Sequence, residues 1–154
     1  MKVDSYGVKL IADFEGLSLV PYLCPAKKPT IGYGQTFYPN GTKVRMSDKA
    51  ITEKEAFAML EVVVNQFAIG VEKLLVKKVN QHQFNALVSF AYNCGITNLK
   101  KSTLLKKVNA NPNDSSIELE FLKWNKSAGK VLAGLTRRRR LEADIYKMPI
   151  STAN

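Results

Sequence analysis

The 154-residue chain has few of the residues that build metal sites and disulfide frameworks. It contains two cysteines, Cys24 and Cys94, and one histidine, His82. Two cysteines are too few for a disulfide framework, and with a single histidine they cannot complete the usual four-ligand zinc site. We therefore predict a protein without a metal or other cofactor.

Long apolar runs are also missing from the N-terminal segment, because Asp4, Lys9, Asp13 and Glu15 interrupt it. A signal peptide needs an apolar core of about 7–15 residues, and a transmembrane helix needs about 20. We therefore expect neither a signal peptide nor a membrane anchor. The protein should be made in the cytoplasm, and any work outside would need a separate export route.

Acidic residues are scarce beside basic ones, with 13 Asp and Glu against 23 Lys and Arg, a formal charge of +10 at pH 7. Such a charge attracts a polyanion, which could be nucleic acid, an anionic membrane surface or an acidic cell-wall polymer. The densest basic run is residues 137–140, four consecutive arginines. A run of this kind is most often a solvated helix face, and the alternative is contact with an anionic polymer.

The length and a hydrophobic content of 45% predict one domain over residues 1–154 with a real core. Apolar alternation, prolines and an Asn40-Gly41 turn predict a three-stranded β lobe over about residues 16–46. Capping signals and apolar periodicity predict three helices that start at Asp4 or Ser5, at Thr52 with Glu55, and at Asn80 with Gln83. Shorter helices are predicted over residues 102–109, 115–124 and 136–147. Residues 131–135 read as a buried connection. The predicted class is α+β, mostly helical.

The stretch over residues 15–34 concentrates the candidates for chemistry. Glu15 falls in the last turn of the first predicted helix, Cys24 follows nine positions later, and Thr30 six after that. A partly desolvated carboxyl beside irregular β structure can serve as a general acid. Each residue also has a structural interpretation, since Glu15 could cap or pair, Cys24 could be a small buried hydrophobe and Thr30 an ordinary strand residue.

The spacing Glu, eight residues, Cys, five residues, Thr resembles the signature of the lysozyme-type phage endolysins of glycoside hydrolase family 24. Further segments of the chain resemble family segments in the same order: residues 90–95, 102–105 with Asn109, 121–124, and 134–135 followed by 137–140 and Glu142. The resemblance covers nearly the whole chain. It implies a lysozyme-like fold, with a small β lobe and a larger helical lobe joined by a long helix and an active-site cleft between them.

The resemblance also implies a monomeric muramidase that hydrolyses the β-1,4 bond between N-acetylmuramic acid and N-acetylglucosamine of peptidoglycan, causing host cell lysis. Glu15 would be the acid and Thr30 would position the attacking water, while Cys24 would either help hold that water or attack the sugar. Residues implied to line a sugar site are Tyr33, Gly34, Asn93, Ser102 and Thr103. The enzyme would wait in the host cytoplasm and reach the periplasm and wall through a separate holin.

Three alternatives remain open at this point. A lytic transglycosylase needs the acid but no attacking water. A basic nucleic-acid-binding helical module would explain the charge, but the basic residues lack the interleaved aromatics of single-strand binders. A cationic membrane-disrupting protein is disfavoured because residues 136–147 have few bulky apolar side chains. We therefore expect no nucleic-acid partner, and contact with anionic outer-membrane or wall polymers through the basic C-terminal helix.

If the net charge of +10 draws the protein to an anionic wall, the initial rate of wall lysis should fall steeply as salt is raised. Salt shortens the range of charge attraction from about 10 Å at 0.1 M to about 3 Å at 1 M. Turbidity loss of purified walls measures the rate, with sucrose of equal osmolarity as the control. A rate independent of salt would reject long-range attraction.

Overall fold

The structure, a computed structural model, describes residues 1–150. Their contacts form two compact units, one over Val8–Gln66 and the other over Met1–Gly7 with the chain from Phe67 onward. The elements in chain order are α1 Ser5–Glu15, β1 Ser18–Leu23, β2 Pro29–Gly32, α2 Glu53–Leu74, α3 Gln81–Cys94, α4 Ile96–Lys101, α5 Thr103–Ala110, α6 Ile117–Leu122, β3 Lys126–Ser127, β4 Lys130–Val131 and α7 Ala133–Tyr146.

Local signals place the starts of three helices where the sequence predicts them. The Asp4 carboxylate caps α1 by accepting from the Gly7 N–H at 3.0 Å. Thr52 and Glu55 form a reciprocal capping box at the start of α2, with both side chain to backbone distances at 3.1 Å. Asn80 and Gln83 form the same reciprocal capping box at the start of α3. These donors would otherwise have no partner in the first helical turn.

The β region of the Val8–Gln66 unit is smaller than predicted. β1 and β2 form a two-stranded antiparallel sheet, and the predicted third strand is wrong. In its place a short loop turns at Gly41, whose φ is +87°, and pairs only through the isolated bridge between Phe37 and Lys43. Pairing stops there because the chain turns again at Arg45, whose N–H donates to the Asp48 carboxylate at 2.8 Å.

A small core holds this unit together. It consists of buried Ile31, Val44 and Met59, with Tyr38 and Ile51 packed against them. The Ile51 N–H also donates to the Leu19 carbonyl at 2.9 Å. The strands therefore rest on α2, as a sheet of this size requires. This helix starts in the Val8–Gln66 unit and ends in the other, so it is the long joining helix that the sequence predicts.

The other unit is built around α3. Nine consecutive residues of this helix, 83–91, are buried, which is the pattern of a helix surrounded by protein. It packs against α7, which also packs against α6. The helix ends at Gly95, whose φ of 98° is tolerated by glycine. α3 is thus the central helix of this unit, as its periodicity predicts.

The helix predicted over residues 102–109 is present as α5, and the Ser102 hydroxyl caps it by accepting from the Leu105 N–H at 3.0 Å. The additional helix α4 before it was not predicted. The predicted buried connection over residues 131–135 is exposed instead, with Val131 at 59% and Leu132 at 44%. The β3–β4 hairpin that contains Val131 has two residues in each strand and is too small to bury a face.

The arginine run is not the solvated face that its charge predicts. Arg137 and Arg140 are exposed, but Arg138 is 4% exposed and Arg139 is fully buried. Both buried arginines pair with Glu142, three and four residues later on α7. Within residues 1–150, no helix combines the length and apolar character needed to cross a membrane.

The tight packing around Gly7 generates a stability prediction. A Cβ at this position would overlap Val3 Cγ1 and lie 2.6 Å from Cγ of Asn85. Because Asn85 is itself held by the Asp4 carboxylate at 2.8 Å, Gly7→Ala should lower the unfolding free energy by about 1–3 kcal/mol.

Gly134 in the first turn of α7 provides a matched control. A Cβ there meets no described atom within 4 Å, so Gly134→Ala should leave stability unchanged or raise it by up to about 1 kcal/mol. Thermal and urea unfolding of both variants measure the difference. Equal stabilities would show that Gly7 is not packed as described.

Candidate active site

Glu15 is placed by the end of α1. It is the last helical residue, and its side chain is partly exposed. The helix stops because Gly16 takes a left-handed conformation with φ of 72°, and β1 starts two residues further on, at Ser18. Glu15 is therefore not closed off from solvent at the junction of helix and sheet.

A bulge in β1 shortens the distance between this junction and the other two signature residues. Ser18 pairs with Gly32 and Tyr22 pairs with Thr30, so four residue steps on β1 lie opposite two steps on β2. A bulge of this kind bends its strand and increases the local twist. Thr30 therefore lies only two residues along β2, about 7 Å, from Gly32, which is the residue that pairs with Ser18.

The thiol of Cys24 lies in the turn that joins β1 and β2. The turn is closed by two backbone bonds, Cys24 N–H to Lys28 O at 3.1 Å and Lys27 N–H to Cys24 O at 2.7 Å. Lys27 adopts a positive φ of 60°, which is uncommon for a residue other than glycine. The same turn brings the backbone of Ala26 and Lys28 close to the Cys24 sulfur.

These donors lower the pKa of the Cys24 thiol below its ordinary value. The largest contribution is a hydrogen bond from the Lys28 backbone, followed by one from the Thr30 hydroxyl, with smaller ones from the backbone of Ala26 and of Cys24 itself. Hydrogen bonds to the charged form favour the thiolate. The Thr30 hydroxyl also lies 2.9 Å from the Lys28 carbonyl, so its one proton can be donated either to that oxygen or to the Cys24 sulfur. Thr30 is 2% exposed.

Tyr33 and Gly34 follow Thr30 in a tight turn. The turn is closed by a reciprocal pair of backbone bonds between Ile31 and Gln35, both 2.9 Å long. Tyr33 is 8% exposed, and burial together with the carboxylates of Glu53 and Asp13 raises the pKa of its phenol. Gly34 is exposed with φ of 89°, so its backbone can be approached closely by a ligand.

The remaining predicted sugar-binding residues belong to the unit built around α3. Asn93 is exposed near the end of α3, and Thr103 is exposed at the start of α5. Ser102 is 3% exposed, and its hydroxyl donates to the Leu99 carbonyl at 2.7 Å while capping α5. The Ser102 hydroxyl is thus already used within the protein, and the sugar-binding roles of Asn93 and Thr103 stay predictions.

A buried ion cluster beside Asn93 was missed from the sequence. The Glu142 carboxylate, which is fully buried, pairs with Arg138 at 3.3 Å and with Arg139 at 2.7 Å and accepts from the Ser89 hydroxyl. Burial raises the pKa of this carboxyl, and both guanidinium groups and the hydroxyl oppose that rise. The only sequence signal was the spacing of an acid three and four residues after two arginines.

Within residues 1–150, no three side chains of the His, Cys, Asp and Glu types are grouped as metal ligands.

Comparison with known proteins identifies the family. The family model described as Phage lysozyme matches residues 12–142, which include Glu15, Cys24, Thr30 and the cluster around Glu142. The chain belongs to the phage lysozyme family. This membership confirms the resemblance to lysozyme-type endolysins that the spacing of the signature residues predicts.

Individual members of the phage lysozyme family and their structures agree with this assignment. An endolysin of Bacillus phage B103 is 45% identical over 148 residues, which cover 95% of this chain and 54% of that protein. The chain thus spans about half the length of this relative. The solved endolysin of Escherichia coli O157:H7 phage FAHEc1 is 38% identical with a TM-score of 0.84, covering 96% of this chain and 94% of that one.

A second solved structure is the muramidase domain of SpmX from Asticaccaulis excentricus. It is 33% identical with a TM-score of 0.79, covering 96% of this chain and 99% of that one. Both structural matches confirm the predicted lysozyme-like α+β fold.

The surroundings of the two cysteines predict different reactivity. The turn donors lower the pKa of Cys24, whereas burial raises the pKa of Cys94 despite its contact with Arg139. Because the thiolate is the reacting form, alkylation of Cys24 by iodoacetamide should reach its plateau at lower pH than alkylation of Cys94.

Mass spectrometry of the two single Cys→Ala variants separates the two rates. Thr30→Val should move the Cys24 midpoint upward in pH, because it removes the second-largest cause of the lowered pKa. A Cys24 midpoint equal to that of Cys94 would contradict the described turn.

Proposed function

We propose that this member of the phage lysozyme family is a muramidase that hydrolyses the β-1,4 bond between N-acetylmuramic acid and N-acetylglucosamine in peptidoglycan. One observation carries the proposal: the Thr30 hydroxyl lies near enough to the Cys24 thiol to lower its pKa, on the hairpin that follows the helix ending at Glu15. The family match and the similar solved muramidase domain support it.

Glu15 is assigned the role of general acid. Departure of the sugar leaving group needs a proton on the glycosidic oxygen, and a carboxylic acid on the leaving-group side supplies it. Glu15 is partly exposed, so a substrate oxygen can reach it. After the bond breaks, the proton resides on the 4-hydroxyl of the departing N-acetylglucosamine, and Glu15 is left as a carboxylate.

Cys24 and Thr30 are assigned to the water that attacks the sugar. The thiolate accepts the water proton while the water oxygen bonds to C1 of N-acetylmuramic acid. Hydrogen bonds to the sulfur weaken the thiolate both as a base and as a nucleophile, so the lowered pKa does not separate the two roles. We assign Cys24 the role of base, and the anomer of the first product tests that choice. Thr30 is 2% exposed and Cys24 is half-exposed, so the attacking water would approach from the Cys24 side.

The proposed roles of Cys24 and Thr30 in holding a water favour hydrolysis over transglycosylation. A lytic transglycosylase closes a 1,6-anhydro ring without water, so it has no use for a thiol and hydroxyl that together can hold one. Membership of the phage lysozyme family likewise supports a cell-wall substrate, so the basic composition does not have to be explained by a nucleic-acid partner.

The proposed biology follows from the substrate. The enzyme would accumulate as a monomer in the cytoplasm of the infected host and reach the wall through a separate holin, causing lysis. The surplus of basic residues, including exposed Arg137 and Arg140 on α7, would draw it to anionic wall or outer-membrane polymers.

Replacement of the acid tests the proposed mechanism. Glu15→Gln should abolish release of muropeptides, because an amide has no proton of suitable acidity to give. Cys24→Ser should lower the rate at least tenfold without abolishing it, since a hydroxyl can still hold water but is a poorer base. Glu61→Gln, an exposed change on α2, is the control and should keep full activity.

Mass spectrometry of the muropeptides separates hydrolysis from transglycosylation by the mass of one water. Proton NMR of the first products reports whether the new reducing end is the inverted α anomer that direct water attack gives. Full lysis by Glu15→Gln would refute the assignment of the acid, anhydro products would refute hydrolysis, and a β anomer would refute direct water attack.

A further inference from the structure

The side-chain amide of Asn93 has a defined orientation although the residue is exposed. Its Oδ1 accepts from Nη2 of Arg139 at 2.8 Å. Because a guanidinium group can only donate, the amide oxygen must be the atom that faces Arg139. The NH2 group of Asn93 is then directed away from the arginine, and within residues 1–150 it has no hydrogen-bond partner.

Arg139 is held firmly enough to impose this orientation. The residue is fully buried, and its Nε lies 2.7 Å from Glu142 Oε1 in a close charge pair that is not a linear hydrogen bond. Nη1 donates to the Cys94 sulfur and to the Trp124 carbonyl, the latter at 3.4 Å. A guanidinium engaged on three sides has little freedom to rotate, so the amide that it holds is pre-organised.

The anchor extends back to the middle of α3. Glu142 accepts from the Ser89 hydroxyl and pairs with Arg138 as well as with Arg139. The guanidinium of Arg139 also lies over the Phe90 ring, 5.2 Å from its centroid. A continuous series of contacts therefore runs from Ser89 through Glu142 and Arg139 to Asn93.

We propose that Arg139 is a positioning residue that presents the Asn93 NH2 group as a hydrogen-bond donor to the acetamido carbonyl oxygen of an N-acetylated sugar. The inference rests on the proposed glycan substrate and adds to it a specific recognition contact. The acetamido carbonyl is a strong neutral acceptor, which matches an amide donor. Free rotation of the Asn93 amide would present its oxygen to the sugar about as often and repel that carbonyl.

A double-mutant cycle tests the coupling. Asn93→Ala and Arg139→Lys should each raise KM for soluble, un-cross-linked glycan strands about three- to tenfold, with kcat nearly unchanged. Lysine can still pair with Glu142 but cannot also reach Asn93. If Arg139 acts through Asn93, the double variant should have the KM of Asn93→Ala alone, whereas additive effects would overturn the inference.

Asn93→Asp keeps the contact with Arg139 and tests the donor without disturbing the buried cluster. The carboxylate still accepts from the guanidinium, so the variant should be at least as stable as the parent protein. It lacks the NH2 donor, and KM should therefore rise as in Asn93→Ala. An unchanged KM for Asn93→Asp would also overturn the inference, even if Arg139→Lys failed to fold.

Asn109→Ala is the matched structural control. It removes the hydrogen bonds that Asn109 makes with the Val76 N–H and the Leu74 carbonyl, outside the series, so its melting temperature should fall while KM stays at the parent value. A KM rise in Asn109→Ala equal to that in Arg139→Lys would show that general loosening, not orientation of Asn93, sets KM. If the parent protein cleaves no glycan strands, the proposed function fails; if it cleaves them and only the coupling is missing, this inference alone fails.

Discussion

The buried carboxylate of Glu142 is the group on which the unit around α3 depends most. Taking one carboxylate and two guanidinium groups out of water is costly, and the pairing offsets that cost only while every partner is present. Removal of one partner from such a cluster typically costs about 3–5 kcal/mol, because the remaining charge stays buried. The cluster therefore fixes the register of α7 against α3, where Ser89 and Asn93 lie.

A second constraint operates in the Val8–Gln66 unit. The hairpin of β1 and β2 is too small to be stable alone, so its shape is set by the bulge and by packing on Ile31, Val44 and Met59. The same bulge shortens the separation along the sheet between the end of α1 and Thr30. The feature that lets a short hairpin curve is thus also the feature that serves the proposed chemistry.

The proposed chemistry uses a thiol where a second carboxylate would be the simpler choice. A cysteine needs help to ionise near neutral pH, and here the help comes from the backbone of Lys28 and the hydroxyl of Thr30. The Thr30 hydroxyl lies within hydrogen-bonding distance of the Lys28 carbonyl and also lowers the pKa of the Cys24 thiol. Thr30 therefore links the proposed base to the turn that favours its ionisation. The spacing of Cys24 and Thr30 therefore reflects one local hydrogen-bonded turn.

Local interactions explain what the sequence by itself determined. The capping boxes at Thr52 and Asn80, the cap at Asp4, the turn at Gly41 and the helix end at Glu15 involve partners within a few residues, so spacing alone was sufficient to predict them. The spacing of Glu15, Cys24 and Thr30 likewise indicated the family. Tertiary contacts decided the burial of Arg138 and Arg139, the absence of a third strand in the β region and the orientation of Asn93. Those features depend on partners brought together by folding, and the free energy of burying a charge or an amide is set by those partners rather than by neighbours in the chain.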